Sequence, residues 1–219
     1  MKILLISAVF GGIDYQRPLP HQTIPIDRIF VNEGNSPVPL HSLEPRMKAK
    51  YFKMQTHRLY PHYDAYIWID GNVSIRSRNF AAVLASNLNG YDIVIRKHPE
   101  RDCIYTEAKS VMDGMKNGDK YLIRRYATHP LVPEANSYRL KGYPEHAGLY
   151  WCGCFMRWNN ARVNLFFDHW WDKTLQWSSF DQLSFPYLVM EHKMDLRVQE
   201  WAPYYKNELM EIVAHVKIQ

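Results

Sequence analysis

The sequence is poor in cysteine: its 219 residues include only Cys103, Cys152 and Cys154. Their number is odd, and the single residue between Cys152 and Cys154 makes the CGC spacing too tight for an ordinary disulfide or zinc knuckle. The pattern therefore favours free thiols over a disulfide scaffold. Because free thiols are typical of reducing compartments, we expect a cytoplasmic protein.

Long apolar runs, internal repeats, low-complexity tracts and linkers are missing as well. No stretch approaches the roughly 20 apolar residues of a membrane helix. The opening residues, MKILLISAVFGG, resemble the start of a signal peptide, but the apolar run is short and lacks a clear small-x-small cleavage site. They predict a buried first strand instead. We therefore expect a single domain over residues 1–219, with no transmembrane segment.

The composition itself is that of a globular protein with a basic, aromatic bias. Hydrophobic residues make up 47% and charged residues 22%, an ordinary balance for a soluble domain. The formal net charge of +5 favours an anionic partner such as a nucleotide, phosphate, nucleic acid or membrane surface. The 7 Trp and 15 Tyr residues suit both a core and a surface that stacks on sugars or bases.

Strand-like and helix-like patterns alternate along the chain. Predicted strands cover 2–9, 26–31, 65–70, 91–96 and 149–157, with a last one at DLRVQ, and predicted helices cover 44–59, part of SRNFAAVLASNL, 102–116, 118–127 and segments starting at 161 and near Ser178. Residues 127–148 read as a long loop, which in a compact domain is often functional. The alternation predicts an α/β fold with a mainly parallel central sheet flanked by helices.

Asp70 ends an apolar strand in the stretch YIWIDGNVSI, residues 66–75. Ligands of parallel α/β sheets bind beyond the carboxyl ends of the strands, where a carboxylate can reach a metal ion or a phosphate. Asp-Gly is also typical of a simple turn. The residues alone leave both interpretations open.

The helix before that strand carries a basic stripe. Arg46, Lys50, Lys53 and His57 follow the spacing i, i+4, i+7, i+11 and so share one helix face. Such a face is either solvated or positioned to bind a diphosphate. Because the helix directly precedes the Asp70 strand, we take diphosphate binding near Asp70 as a hypothesis.

Two further stretches carry charged residues that belong either to a functional site or to a helix cap. RKHPERDCIYTEA, residues 96–108, places His98 and Arg101 just after a strand, which is typical of a site but also of a capped helix start. SSFDQLSF, residues 178–185, contains Asp181 and Gln182. On spacing alone, Ser178 and Asp181 predict a capping box at a helix N-terminus.

Several of these stretches together resemble a glycosyltransferase-like family with plant and bacterial members, long catalogued as a domain of unknown function. The resemblance covers about residues 3–198 and is carried by RMKAKYFKMQTHRLYPHYDAYIWIDGNVSI, RKHPERDCIYTEA, GYPEHAGLYWCGCFMRWNN and FDQLSFPYLV. That family is similar to GT-A-type glycosyltransferases. The resemblance implies a GT-A-like domain that uses a UDP- or GDP-sugar donor, a glycan or other hydroxyl acceptor and Mn²⁺ or Mg²⁺.

The resemblance also implies roles for particular residues. DGN occupies the place of an Asp-x-Asp motif, so Asp70 would hold the metal ion, with Asn72 offering a neutral oxygen where the motif has a second carboxylate. A late histidine, His192 or His215, would complete the metal site. Arg46, Lys50, Lys53, His57, His98 and Arg101 would line the donor cleft, and Asp181 and Gln182 would act at the reacting sugar.

Two other functions would use the same sequence features. An apolar strand followed by Asp70 is also typical of aspartate-nucleophile phosphatases, but these need a second acid two residues on, and Asn72 cannot transfer a proton. A non-catalytic binder of anionic glycan or RNA would explain the basic charge and the aromatics. No nucleic-acid motif is present, so we expect no nucleic-acid partner, and the oligomeric state is left open.

Overall fold

Alternating apolar residues in the first strand face both sides of a central sheet in the computed structural model, which describes residues 1–217. Leu4, Ile6 and Ala8 point into one core and Ile3 and Leu5 into the other, so helices cover both faces of the sheet. The strands are β1 Ile3–Ala8, β2 Asp27–Val31, β3 Ala65–Ile69, β4 Val73–Ile75, β5 Ile93–Lys97, β6 Tyr150–Trp158, β7 Leu196–Gln199 and β8 Met210–Ile212. The buried first strand predicted from the opening residues is confirmed.

The central sheet has six strands in the order β2-β1-β3-β6-β5-β7. All pairings are parallel except those of β6, which runs antiparallel to β3 and β5. The predicted α/β fold with a mainly parallel sheet is therefore confirmed. The strand that leads to His98, β5, does not adjoin the Asp70 strand, β3, because β6 lies between them. Since β3 and β5 still run in the same direction, both end at the same edge of the sheet.

Eight helices of the described chain surround the sheet: α1 Pro45–Met54, α2 Thr56–Leu59, α3 Phe80–Leu88, α4 Ile104–Lys116, α5 Lys120–Tyr126, α6 Leu131–Leu140, α7 Ala161–Gln176 and α8 Ser184–His192. None of the helices in residues 1–217 combines the length and apolar character needed to cross a membrane. Helix α7 buries Phe166, Phe167 and Trp170 on one face, as its periodicity predicts.

Three predicted elements differ from the structure. The predicted loop 127–148 contains α6, which buries Leu131, Ala135 and Tyr138 along one face. Its proline, Pro133, lies in the first turn, where a backbone amide has no partner within the helix, so the proline is tolerated.

The helix predicted near Ser178 begins only at Ser184, so the predicted capping box of Ser178 and Asp181 does not form. The Ser178 hydroxyl donates to Glu134 in α6, and the Asp181 carboxylate accepts from two lysines in α1. Both side chains are used in tertiary contacts rather than in a helix cap. The predicted helix 44–59 is also interrupted, at Gln55, between α1 and α2.

Candidate active site

A cavity of about 400 Å³ opens where β1 and β3 end at the carboxyl edge of the sheet. It is lined by the ends of both strands, by α1, α4 and α5, and by the segment before α8. Eight of the predicted site residues lie on its wall: Arg46, Lys50, Lys53, Asp70, Asn72, Arg101, Asp181 and Gln182. Among these eight residues, Arg46 and Gln182 are the most distant in the chain, 136 positions apart.

Helix α1 places three cations on this wall because their spacing repeats with the helical turn. The ammonium groups of Lys50 and Lys53 donate to the same oxygen of Asp181, Oδ2, at 2.5 and 2.6 Å. Lys53 is 2% exposed, and its Nζ also lies 3.8 Å from Oδ1 of Asp70. Lys50, Lys53, Asp70 and Asp181, which we call the cavity cluster, therefore form one ionic group.

The charge states in the cavity cluster follow from competition between burial and pairing. Burial alone would raise the pKa of Asp181, but Lys50 and Lys53 outweigh it and lower that pKa to about 2. Burial lowers the pKa of Lys50 to about 8, against the opposing effect of Asp181. Burial also lowers the pKa of Lys53, but Asp181 and Asp70 outweigh it and raise the pKa overall. Asp181 is therefore ionised at neutral pH.

The DGN stretch both turns the chain and faces the cavity. The Val73 amide donates to the Asp70 carbonyl at 2.9 Å and closes the turn, while Trp68 Nε1 donates to Asp70 Oδ1 at 2.7 Å and orients the carboxylate. Gly71 is required by close packing, since a Cβ there would overlap the side chain of Val9. The turn and the cavity-facing carboxylate, which were alternative interpretations of the sequence, therefore occur together.

Asp14 and His215 form a second polar group on the cavity wall. The two side chains meet at 2.6 Å between His215 Nδ1 and Asp14 Oδ2, and Asp14 is only 3% exposed. Asp14 has a φ of 63°, a left-handed conformation that aspartate tolerates better than most residues. A carboxylate hydrogen-bonded to one ring nitrogen is the arrangement that orients many metal-ligating histidines.

Sequence reasoning missed Asp14 and left His215 as an alternative to His192. The two partners lie 201 positions apart, so no local pattern links them. The only signal was the position of Asp14 just after the glycines that end the first strand.

Three predicted site histidines do not line the cavity. His57 is buried against Arg157 and Asp168, and burial, followed by the charge of Arg157, lowers its pKa to about 4. His98 accepts the backbone amides of Glu100 and Arg101, which fixes the turn after β5.

His192, the third, lies 2.9 Å from His169, where α8 packs on α7. Their side chains are occupied by contacts within the fold. His215 is the late histidine that the fold places in the cavity.

The donor atoms on the wall allow a test of the expected metal ion. Within residues 1–217 no group of three or more His, Cys, Asp or Glu side chains is arranged to hold a metal. The cavity does offer the Asp70 carboxylate, the Asn72 amide and His215. The two oxygen donors fit Mn²⁺ or Mg²⁺ when a ligand's phosphate oxygens supply the rest of the coordination, and a histidine nitrogen beside them favours Mn²⁺ over Mg²⁺.

The chain matches the family described as TOD1/MUCI70, glycosyltransferase-like domain, over residues 35–215. The chain belongs to this family. The resemblance noted in the sequence is confirmed, and the match favours glycosyl transfer over the phosphatase and the non-catalytic binder. A search of curated protein sequences finds no match to the chain.

Three solved structures are similar in fold. Mouse xyloside xylosyltransferase 1, in its apo form, is 13% identical, with a TM-score of 0.49 over 91% of this chain and 86% of that one. A glycosyltransferase involved in glycosylation of the major capsid of PBCV-1 is 10% identical, with a TM-score of 0.44 over 94% and 85%. A197 from STIV is 12% identical, with a TM-score of 0.39 over 91% and 82%. At these values the likenesses carry no argument about activity.

Proposed function

We propose that this domain transfers a sugar from a nucleotide-sugar donor to a hydroxyl of a glycan acceptor, with the help of Mn²⁺ or Mg²⁺. The observation that carries the proposal is the cavity cluster: two lysines hold an ionised Asp181 beside Asp70 at the carboxyl edge of the sheet. Glycosyl transfer from a diphosphate needs cations for the leaving group and a carboxylate near the developing sugar cation. The cavity cluster offers both within one ionic group.

A second cavity beside this group would suit the donor nucleoside. This second cavity, of about 850 Å³, lies between the ends of β1 and β2 and shares Val9, Ile13 and Asp14 with the first. Nucleotides bind beyond the carboxyl ends of strands in open α/β sheets. We place the nucleoside of the UDP- or GDP-sugar in the second cavity and the diphosphate toward Asp70.

Asp70, Asn72 and His215 would hold the metal ion, and Asp14 would keep His215 in the required tautomer. When bound, the ion would neutralise charge on the diphosphate. We assign the histidine role to His215 rather than His192, because only His215 lines the cavity. Arg101 lines it as well, and His98 would act only through the turn that carries Arg101.

At the reacting sugar, Asp181 acts by charge and hydrogen bonding rather than as a base. A carboxyl whose pKa is lowered to about 2 has little tendency to take a proton from a hydroxyl near neutral pH. Both lysines occupy Oδ2, so Oδ1 is the oxygen assigned to the sugar. The Gln182 amide nitrogen, buried and without a hydrogen-bond partner within the described residues, would donate to a sugar hydroxyl. This geometry supports Asp181 as the group that orients the donor and stabilises its cation.

The proposal is tested by nucleotide binding to Asp70→Ala, measured by titration calorimetry with UDP and GDP in the presence and absence of Mn²⁺. Losing the carboxylate should reduce the Mn²⁺-dependent affinity at least about tenfold. Asn72→Ala should lose less, because a neutral oxygen gains less from a cation. Asp64→Ala is the matched control, since Asp64 precedes the same strand at the opposite edge of the sheet and is half exposed. Equal affinity in Asp70→Ala and wild type would refute the assignment.

A further inference from the structure

Two guanidinium groups on the cavity wall have no acidic partner. Lys50, Lys53 and Arg101 each form an ion pair with a carboxylate of the cavity. Arg46 and Arg125 have no carboxylate within 4.0 Å anywhere in residues 1–217, although both are partly buried. Unlike the other three cations, they form no ion pair within the described residues.

Neutral groups hold these two side chains in place. Arg46 donates to the Arg125 carbonyl and to the Tyr126 hydroxyl, both at 3.1 Å, and its guanidinium lies 4.8 Å from the centre of the Tyr126 ring. Arg125 donates to the Tyr121 hydroxyl and lies 4.4 Å from the centre of that ring. The contacts orient both guanidiniums without neutralising either charge.

The two like charges also affect each other. Burial lowers the pKa of Arg125, and the Arg46 charge lowers it further. Two cations held together in a partly dehydrated wall are unfavourable unless an anion joins them. Guanidinium pairs suit oxyanions in particular, because each planar fork can donate two parallel hydrogen bonds to a carboxylate or phosphate.

We infer that Arg46 and Arg125 bind an oxyanion, a carboxylate or phosphate, carried by the acceptor sugar. The inference rests on the proposed function and names the class of its acceptor as acidic. The donor's phosphates are assigned to Asp70 and its metal ion, next to the second cavity between β1 and β2, whose lining includes neither arginine. The arginine pair belongs to the wall built from α1 and α5, where Tyr121 and Tyr126 supply rings that can stack on a sugar.

The experiment compares three sugars that differ in one group: glucuronate, glucose 6-phosphate and neutral glucose. Their binding to the full chain is measured by ligand-observed NMR, with UDP or GDP and Mn²⁺ present and absent. Wild type should bind one of the two anionic sugars at least about tenfold more tightly than glucose. The preferred anion identifies the group as a carboxylate or a phosphate.

Variants locate that preference. Arg46→Gln and Arg125→Gln should bind the anionic sugar and glucose alike, and Arg125→Lys should keep only part of the preference, because lysine retains charge but not the fork. Arg124→Gln is the matched control, an exposed arginine on the same helix and outside the cavity lining. It should retain the full preference. Melting temperatures identify any variant that is unfolded, and Arg125→Lys keeps the test decisive in that event.

Three outcomes would overturn the inference. Wild type could bind all three sugars equally, Arg124→Gln could lose the preference as strongly as Arg125→Gln, or Arg125→Gln could lose nucleotide affinity, which would assign the pair to the donor. Failure of the proposed function looks different. In that case Asp70→Ala leaves nucleotide binding unchanged while the anionic-sugar preference, which does not involve Asp70, can still be measured.

Discussion

The basic stripe of Arg46, Lys50, Lys53 and His57 contributes residues to two ionic clusters, one at the cavity and one away from it. The cavity cluster faces the cavity and contains an ionised carboxylate between two lysines. The second, which we call the core cluster, consists of His57, Arg58, Arg157 and Asp168. None of its members lines the cavity.

The break at Gln55 separates the two clusters. Helix α1 ends at Met54 and α2 begins at Thr56, so His57 no longer continues the face that holds Lys50 and Lys53. It points to Arg157 in β6, which is fully buried, and burial lowers the pKa of that arginine to about 9. Regular spacing in the sequence therefore does not ensure a single functional surface. On the proposed function, residues before this break act at the substrate and residues after it stabilise the fold.

The largest effect is expected from Asp181→Asn in the cavity cluster. Removing the charge should lower the rate of sugar transfer or donor hydrolysis about 100-fold or more, because the developing sugar cation loses its counter-charge. The substitution should also cost about 3 kcal/mol of unfolding free energy, since buried Lys53 retains only Asp70, at 3.8 Å. The melting temperature of the variant is measured first, and its rate is then measured at a temperature where it is folded. Near-normal turnover with lowered stability would make the cluster purely structural.

An intermediate effect is expected from Glu134→Gln, which tests whether the cavity cluster depends on a buried acid in α6. Glu134 accepts the hydroxyls of Ser178 and Tyr138 at 2.6 and 3.1 Å and so anchors the segment that leads to Asp181. Burial raises its pKa from 4.5 to about 7, although these hydrogen bonds oppose the shift. Between these pH values the folded state keeps a proton that the unfolded state has released. The stability contributed by protonated Glu134 is therefore lost as pH rises through that window.

Urea denaturation across this window measures the effect. The unfolding free energy of Glu134→Gln minus that of wild type should rise by up to about 3 kcal/mol as pH rises from 4.5 to 7. Wild type loses the stabilisation from its protonated Glu134 over this range, whereas glutamine does not titrate. The lowered pKa of His57 makes stability rise with pH between 4 and 6.5, but this term is common to both proteins and cancels in the difference. Parallel curves for the two proteins would show that Glu134 does not titrate in the fold.

Sequence patterns predicted the parts of this site that depend on local periodicity. The strand that ends at Asp70 and the spacing of the α1 lysines are local, and the structure retains both. The pairing of Asp14 with His215 is set by the tertiary fold, and so is the insertion of β6 between β3 and β5. Neither leaves a short-range pattern. Arg125 was missed for a related reason, since only the tertiary structure brings α5 to Arg46 and shows that Arg125 forms no ion pair within the described residues.

The smallest effect is expected from Asp168→Asn, the counterpart of Asp181→Asn in the core cluster. Asp168 accepts two hydrogen bonds from Arg58, at 3.0 and 2.8 Å, and lies 3.1 Å from His57 Nε2. Arg58 is 59% exposed, so water and salt screen the pair. We expect a loss of about 1 kcal/mol in unfolding free energy, measured by urea denaturation at neutral pH.

A double-mutant cycle isolates that interaction from other effects of the substitution. Asp168→Asn combined with Arg58→Gln should give a coupling energy below about 1 kcal/mol, because most of Arg58 remains hydrated in the folded state. The transfer rate should stay within about twofold of wild type, since a carboxylate that does not touch the substrate has no charge to contribute to the transition state. A rate loss as large as that of Asp181→Asn would instead mean that the two clusters act as one unit through α1 and α2. The break at Gln55 would then join the two regions rather than separate them.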